Sequence, residues 1–219
     1  MANKIIKING LCRSGNHGII FWILSNISKV ENVCPECYAS KDKKVCFLNN
    51  VTRIKNNINS NSYEIILKSY EDVFIKDCFY IVRDFLNLIS SRYKKFGTKL
   101  GTNSLYITNI DEIIKIWKKM VLSDNKIIYN IWLKDKNYRD EIAEMLKVPN
   151  INDKTEYVSN IGEGSSFIGL KKDEISNYEN RYKNANLPSD IINKILSDKE
   201  LMEYNKNYFD IDIEKEITS

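Results

Sequence analysis

The segment Gly10-Leu11-Cys12-Arg13-Ser14-Gly15-Asn16-His17 constrains this chain more than any other, because it lies between the apolar run Ile5-Ile6-Lys7-Ile8 and the helical run Ile19-Ile20-Phe21-Trp22-Ile23-Leu24. The order reads strand, tight loop, helix. Two glycines spaced G-x-x-x-x-G let the backbone turn its N–H groups toward an anion, and the helix that follows points its positive end at the same place. Metal-assisted γ-phosphoryl transfer needs Lys and then Ser or Thr directly after the second glycine, and this chain has Asn16 and His17 there. The loop therefore suits a nucleotide anion but lacks the lysine and hydroxyl that hold β/γ-phosphates and Mg²⁺. Arg13 is its fixed positive charge.

A second segment adds to this. Phe79-Tyr80-Ile81-Val82 has the pattern of a short buried strand, ends in Arg83-Asp84, and is followed by a helical stretch from Leu86 to Phe96. Ser91 stands eight residues after Arg83, two turns into that helix. An arginine at a strand's C-terminal end and such a serine can converge on one phosphate, since ligands of parallel α/β sheets bind at that edge. Taken alone, Arg83-Asp84 reads as a surface ion pair, Ser91 as a solvated helix residue, and the glycines as any tight turn.

Together the two segments resemble the sulfotransferase superfamily, whose donor is 3′-phosphoadenosine 5′-phosphosulfate. Leu11 to His17 looks like its 5′-phosphosulfate loop, and Tyr80-Ile81-Val82-Arg83-Asp84 through Ser90-Ser91-Arg92-Tyr93 looks like its 3′-phosphate site. Ile127-Ile128-Tyr129-Asn130 through Leu146 is similar to the strand-then-helix segment that follows, and Gly162-Glu163-Gly164-Ser165-Ser166-Phe167 to a late nucleotide-contacting loop, though it reads equally as a plain loop. The resemblance spans residues 4 to 210. It implies donor contacts from Arg13, Ser14, Gly15, Asn16, His17, Arg83, Ser91, Gly164, Ser165 and Ser166, with Lys171 and Lys172 adding charge. Asn16 and His17 replace the family's usual pair of hydroxyl residues.

Sulfuryl transfer is an in-line displacement on sulfur that requires no metal, with adenosine 3′,5′-bisphosphate as the leaving group. It needs positive charge and N–H donors on the transferring group, plus a base near the acceptor. In the soluble branch of the family a lysine and a histidine follow the third strand. Here Ile66-Leu67-Lys68-Ser69-Tyr70-Glu71-Asp72 occupies that place, so Lys68 is the candidate for the bridging oxygen. Tyr70 replaces the histidine, leaving Glu71 or Asp72 as base and Glu36 as runner-up; the same residues also read as a surface turn. His17 is the one histidine, and a helix N-terminus disfavours its protonated form, which suits donor contact better than proton abstraction.

Composition agrees with a single α/β domain spanning residues 1–219: 43% of residues are hydrophobic, and 33 basic against 29 acidic residues leave a net charge of +4, too small to demand a nucleic-acid partner. The start Met1-Ala2-Asn3-Lys4 enters a strand at once, without the pattern of a signal peptide, and no apolar run is long enough to cross a membrane. A cytoplasmic protein, in its own cell or a host, is expected. Cys12, Cys34, Cys37, Cys46 and Cys78 are odd in number and scattered, as reduced thiols are. Cys34-Pro35-Glu36-Cys37 has zinc-like spacing, with Cys46 a third candidate ligand, but no second C-x-x-C completes a site; ordinary thiols are expected and no metal.

The pattern predicts strands at Lys4–Asn9, Val45–Leu48, Glu64–Lys68, Phe79–Val82 and Lys126–Trp132, paired in parallel, and helices at Asn16–Ser28, Asn87–Phe96, Ile110–Val121 and Tyr138–Leu146. The polar run Lys55–Ser62 reads as an exposed loop. Leu187-Pro188-Ser189-Asp190 and Ser197-Asp198-Lys199-Glu200 read as helix starts in a helical C-terminal third. Trp22, Trp117, Met120 and Val121 belong to the core. With the resemblance, the expected fold is a three-layer P-loop NTPase-like sandwich, and the expected activity is a sulfotransferase acting on a hydroxyl or amine acceptor. A carbohydrate hydroxyl is preferred, although Lys94, Lys95 and Lys99 read as a solvated helix face as readily as an acidic-glycan surface. Two alternatives stay open: a bisphosphate-binding protein without catalysis, and a kinase-like phosphotransferase, against which the missing lysine counts.

Overall fold

Strand β5 (Phe79–Val82) sorts its side chains by the two-residue period of an extended chain: Tyr80 and Val82 enter one apolar cluster, and Ile81 enters another on the opposite face. Both faces of the sheet are therefore covered at this strand. The computed structural model describes residues 4–11, 13–27, 45–48, 51–58, 61–68, 78–97, 100, 108–148, 182–183 and 185–218. In these, strands β1 (Lys4–Gly10), β2 (Val45–Leu48), β3 (Val51–Ile58), β4 (Asn61–Lys68), β5 and β6 (Lys126–Ile128) form one sheet in the order β2-β3-β4-β1-β5-β6. The chain is α/β.

The pairs β4–β1, β1–β5 and β5–β6 are parallel, as predicted, but β2–β3 and β3–β4 are antiparallel. The connections explain the difference. Leu48 pairs with Val51 and Ile58 with Asn61, so each link has room for two residues, whereas a parallel return needs a crossover of about a dozen. For the same reason most of the run expected as a loop is strand. Lys55–Ile58 close β3 and Asn61-Ser62 open β4, hydrogen-bonded to each other along the ladder. Ladder pairing overrides the weak intrinsic strand preference of Asn and Lys.

One core cluster gathers Ile8, Ile19, Trp22, Ile23, Ile81, Ile127, Trp132, Ile142 and Leu146, which places α1 (Asn16–Ile27), α4 (Tyr129–Lys134) and α5 (Lys136–Leu146) against one face. The other gathers Val82, Phe85, Leu88, Ile113, Trp117, Met120, Val121, Ile191, Ile195, Leu201 and Ile213, from α2 (Phe85–Phe96), α3 (Ile110–Val121), α6 (Ser189–Ser197), α7 (Lys199–Phe209) and α8 (Ile213–Thr218). Trp22, Trp117, Met120 and Val121 are core residues, as expected.

Local chemistry sets the helix ends. Asp84, Asn109, Asp135 and Asp198 each accept a backbone N–H in the first turn of α2, α3, α5 and α7. The predicted strand Lys126–Trp132 is a strand only to Ile128. β5 ends at Val82, so among the described residues β6 has no ladder partner beyond the Val82–Ile128 pair. The Ile128 N–H donates instead to the Tyr138 hydroxyl at 3.0 Å, and the chain turns into α4. Burial pushes the Tyr138 hydroxyl above its ordinary pKa, only partly offset by this bond, so it stays protonated throughout the neutral range.

Candidate functional site

From β1 the chain passes to β2, β3 and β4 on one side, and then to β5 and β6 on the other. β1 is thus the strand at which the order reverses, and in open α/β sheets the crevice beyond the C-terminal ends of such strands is where ligands bind. The glycine loop leaves β1 there, Arg83 leaves β5 there, and Lys68 ends β4 beside Asn9.

Arg13 has φ of +78° and Gly15 of +92°, so the loop bends twice through the left-handed region around the buried Ser14. Such alternation turns successive N–H groups toward one concavity. Ser14 donates its own N–H to the Leu11 carbonyl at 3.0 Å, and Gly18 and Ile19 donate theirs to the Gly15 carbonyl, which starts α1. Asn16 uses its side-chain N–H₂ on the loop itself, donating to the carbonyls of Gly10 at 3.1 Å and Leu11 at 3.4 Å. Gly10 must lack a side chain because a Cβ there would lie 2.4 Å from Asn16 Oδ1.

Arg13 Nε donates to Ser91 Oγ at 3.2 Å, and Arg83 Nη1 donates to the Arg13 carbonyl at 3.4 Å. The two segments that the sequence suggested as separate anion sites are therefore in direct contact, with Arg83 and Ser91 4% and 2% exposed. The Arg83-Asp84 pair is not a surface ion pair. Arg83 Nε lies 3.9 Å from Asp84 Oδ2, and Asp84 is fully buried, accepting from the Asn87 backbone and side chain and from Asn130 Nδ2 at 2.9 Å. Trp117 Nε1 donates to the Arg83 carbonyl at 2.8 Å, which ties the backbone at the end of β5 to α3.

Sequence reasoning missed three contributors. Tyr129 lies against Gly15, its ring stacks on Trp132, and the Arg83 guanidinium carbon sits 5.5 Å from its centroid. Asn130 bonds Asp84 reciprocally, its Oδ1 accepting the Asp84 N–H at 3.3 Å. Asn205, from α7, accepts the Phe85 N–H at 2.8 Å and so caps α2 from 120 positions away. Tyr129 and Asn130 follow directly on the apolar pair Ile127-Ile128, a position that marks a strand's ligand-facing end once the strand is known to stop there. Nothing near Asn205 in the sequence marks it.

Of the predicted site residues, Arg13, Ser14, Gly15, Asn16, Arg83 and Ser91 are brought together. His17 is the second residue of α1 and Lys68 the last of β4. Glu36, Glu71, Asp72, Gly164, Ser165, Ser166, Lys171 and Lys172 lie outside the described residues, as do Cys12, Cys34 and Cys37; Cys46 lies on β2, and Cys78 is a buried thiol that donates to the Phe79 carbonyl. Among the described residues no cluster of His, Cys, Asp and Glu fits a metal ion, and no helix is long and apolar enough to cross a membrane. Comparison with family models, curated proteins and solved structures finds no match.

Proposed function

We propose that this protein is a sulfotransferase that moves a sulfuryl group from 3′-phosphoadenosine 5′-phosphosulfate to a hydroxyl or amine acceptor, on a P-loop NTPase-like sandwich. One observation carries the reading: Arg13, Ser91 and Arg83 converge at the sheet's switch point, on a glycine loop that lacks the lysine of a nucleotide-splitting enzyme. Two guanidinium groups and a hydroxyl suit a nucleotide with two phosphate-type ends.

In this reading the loop N–H groups and Arg13 hold the 5′-phosphosulfate, and Arg83 with Ser91 holds the 3′-phosphate. Asn16 contributes through the loop shape it fixes. The acceptor oxygen or nitrogen attacks sulfur, the bond from sulfur to the bridging oxygen breaks, and its electron pair leaves on the 5′-phosphate. Lys68, at the end of β4, meets the charge growing on that oxygen. The acceptor's proton passes to Glu71, and His17 touches the donor from the first turn of α1. A carbohydrate hydroxyl is the preferred acceptor.

The test is thermal unfolding with adenosine 3′,5′-bisphosphate, with ATP plus Mg²⁺, and with neither, on wild type, Arg83→Ala and Ser91→Ala. Ligand at about 100 times Kd stabilises by about 2.7 kcal/mol, a rise of roughly 5–10 °C for a domain of this size. The expected result is a rise with the bisphosphate that either substitution removes or sharply reduces. No rise, or a larger one with ATP and Mg²⁺, overturns the reading and favours a kinase-like activity. Binding without transfer to any acceptor leaves a nucleotide-binding protein.

A further inference from the structure

We propose that Tyr129 is a positioning residue, which sets the distance between the glycine loop and Arg83 and so preforms the anion site; this rests on the nucleotide-binding reading above. A Cβ on Gly15 would lie 2.3 Å from Tyr129 Cδ2 and 2.4 Å from Cε2, so the loop's left-handed residue rests directly on the ring. The Arg83 guanidinium carbon lies 5.5 Å from the same ring's centroid, within range of a cation–π attraction.

One side chain therefore touches both segments that would hold the two ends of the nucleotide. The ring cannot drift. Trp132 stacks on it with centroids 5.8 Å apart and planes inclined by 24°, and the neighbouring Asn130 is latched to Asp84 by the reciprocal pair of hydrogen bonds at 2.9 and 3.3 Å. Loop and arginine are thus held at a fixed spacing before any ligand arrives, and a ligand need not spend affinity on ordering them. The flat face supplies this, so phenylalanine should serve and an aliphatic side chain should not.

The experiment compares wild type, Tyr129→Phe, Tyr129→Leu and Tyr129→Met by calorimetric titration with adenosine 3′,5′-bisphosphate, and by amide hydrogen exchange without ligand. Gly18 and Ile19 report on the loop, since both donate to the Gly15 carbonyl, and Tyr80, whose N–H donates to the Asn125 carbonyl, reports on the sheet. Tyr129→Phe is expected to bind like wild type, whereas the Leu and Met variants bind about tenfold more weakly and exchange faster at Gly18 and Ile19, with Tyr80 unchanged. Unchanged affinity and exchange in the Leu and Met variants would overturn the proposal. Faster exchange at Tyr80 as well would also overturn it, by reducing Tyr129 to general packing. Failure of wild type to bind the bisphosphate would sink the nucleotide reading alone, because the exchange rates still decide whether the ring holds the loop.

Discussion

Replacing Gly15 with alanine should cost about 3 kcal/mol, while the same change at Gly18, three residues on, should stabilise the protein. At Gly15, φ is +92°, where an L-residue costs about 1–2 kcal/mol. The new methyl would also meet Tyr129 Cδ2, Cε2 and Cγ at 2.3, 2.4 and 2.7 Å, more than 0.5 Å inside van der Waals contact. Trp132 stacks on that ring, so the loop or α4 must shift, and overpacking of this kind costs about 1–3 kcal/mol. At Gly18 the nearest atoms to a Cβ are 3.7 Å away on Trp132 and Tyr129, an ordinary contact, and the residue lies inside α1. Alanine gains about 0.5–1 kcal/mol there from a smaller loss of chain entropy. Urea unfolding at constant m-value reads both effects, and a thermal scan should show Gly15→Ala melting roughly 6–12 °C lower. Adding Tyr129→Ala to Gly15→Ala should remove the clash and leave the backbone cost. Gly15→Ala within about 0.5 kcal/mol of wild type, or Gly18→Ala less stable than wild type, would refute this account of the loop.

Trp117→Phe should cost about 2–3 kcal/mol in urea unfolding, because it removes the indole donor to the buried Arg83 carbonyl and leaves space beside Phe85 and Phe209. Tyr182→Phe tests the C-terminal helix. The Tyr182 hydroxyl donates to Glu216 at 2.5 Å and, with Lys183, holds that carboxylate below its ordinary value of 4.5, while burial and then Glu216 itself push Tyr182 upward. A lowered carboxylate stabilises the fold above its unfolded pKa and ceases to as pH falls through its folded value. The variant should therefore be less stable by about 1 kcal/mol at pH 7, discounted for the partial exposure of Glu216, with the deficit shrinking below pH ~4.5. A deficit independent of pH between 7 and 3 would show that the pair carries no such linkage.

The alternation of β5 and the apolar spacing of α3 were legible because burial imposes periods of 2 and 3.6 on any sequence. Val45–Leu48, Phe79–Val82 and Ile110–Val121 fall where the pattern places them, and the helix starts at Ser189 and Lys199 follow the predicted breaks. The polar strand ends at 55–58 and 61–62 were not legible. Their pairing is decided by the partner strand, and Asn and Lys carry little preference of their own. The early end of β6 was hidden for a related reason: Tyr129, Ile131 and Trp132 suit a strand, and only the end of β5 at Val82 shows that this neighbour does not continue beside them.

At the site, the local sequence determined a glycine loop on the end of a strand and an arginine on the end of another, since each is a matter of neighbouring residues. Only the tertiary structure decided that these are one place. Arg13 and Ser91 are 78 positions apart, and Arg83 and Arg13 are 70. Their contact depends on β1 and β5 being neighbours in parallel, on Asn130 gripping Asp84, and on Asn205 closing the start of α2. Contacts between residues far apart in sequence leave no local periodicity to read, because the energy that fixes them is gained only when the sheet order brings both partners together.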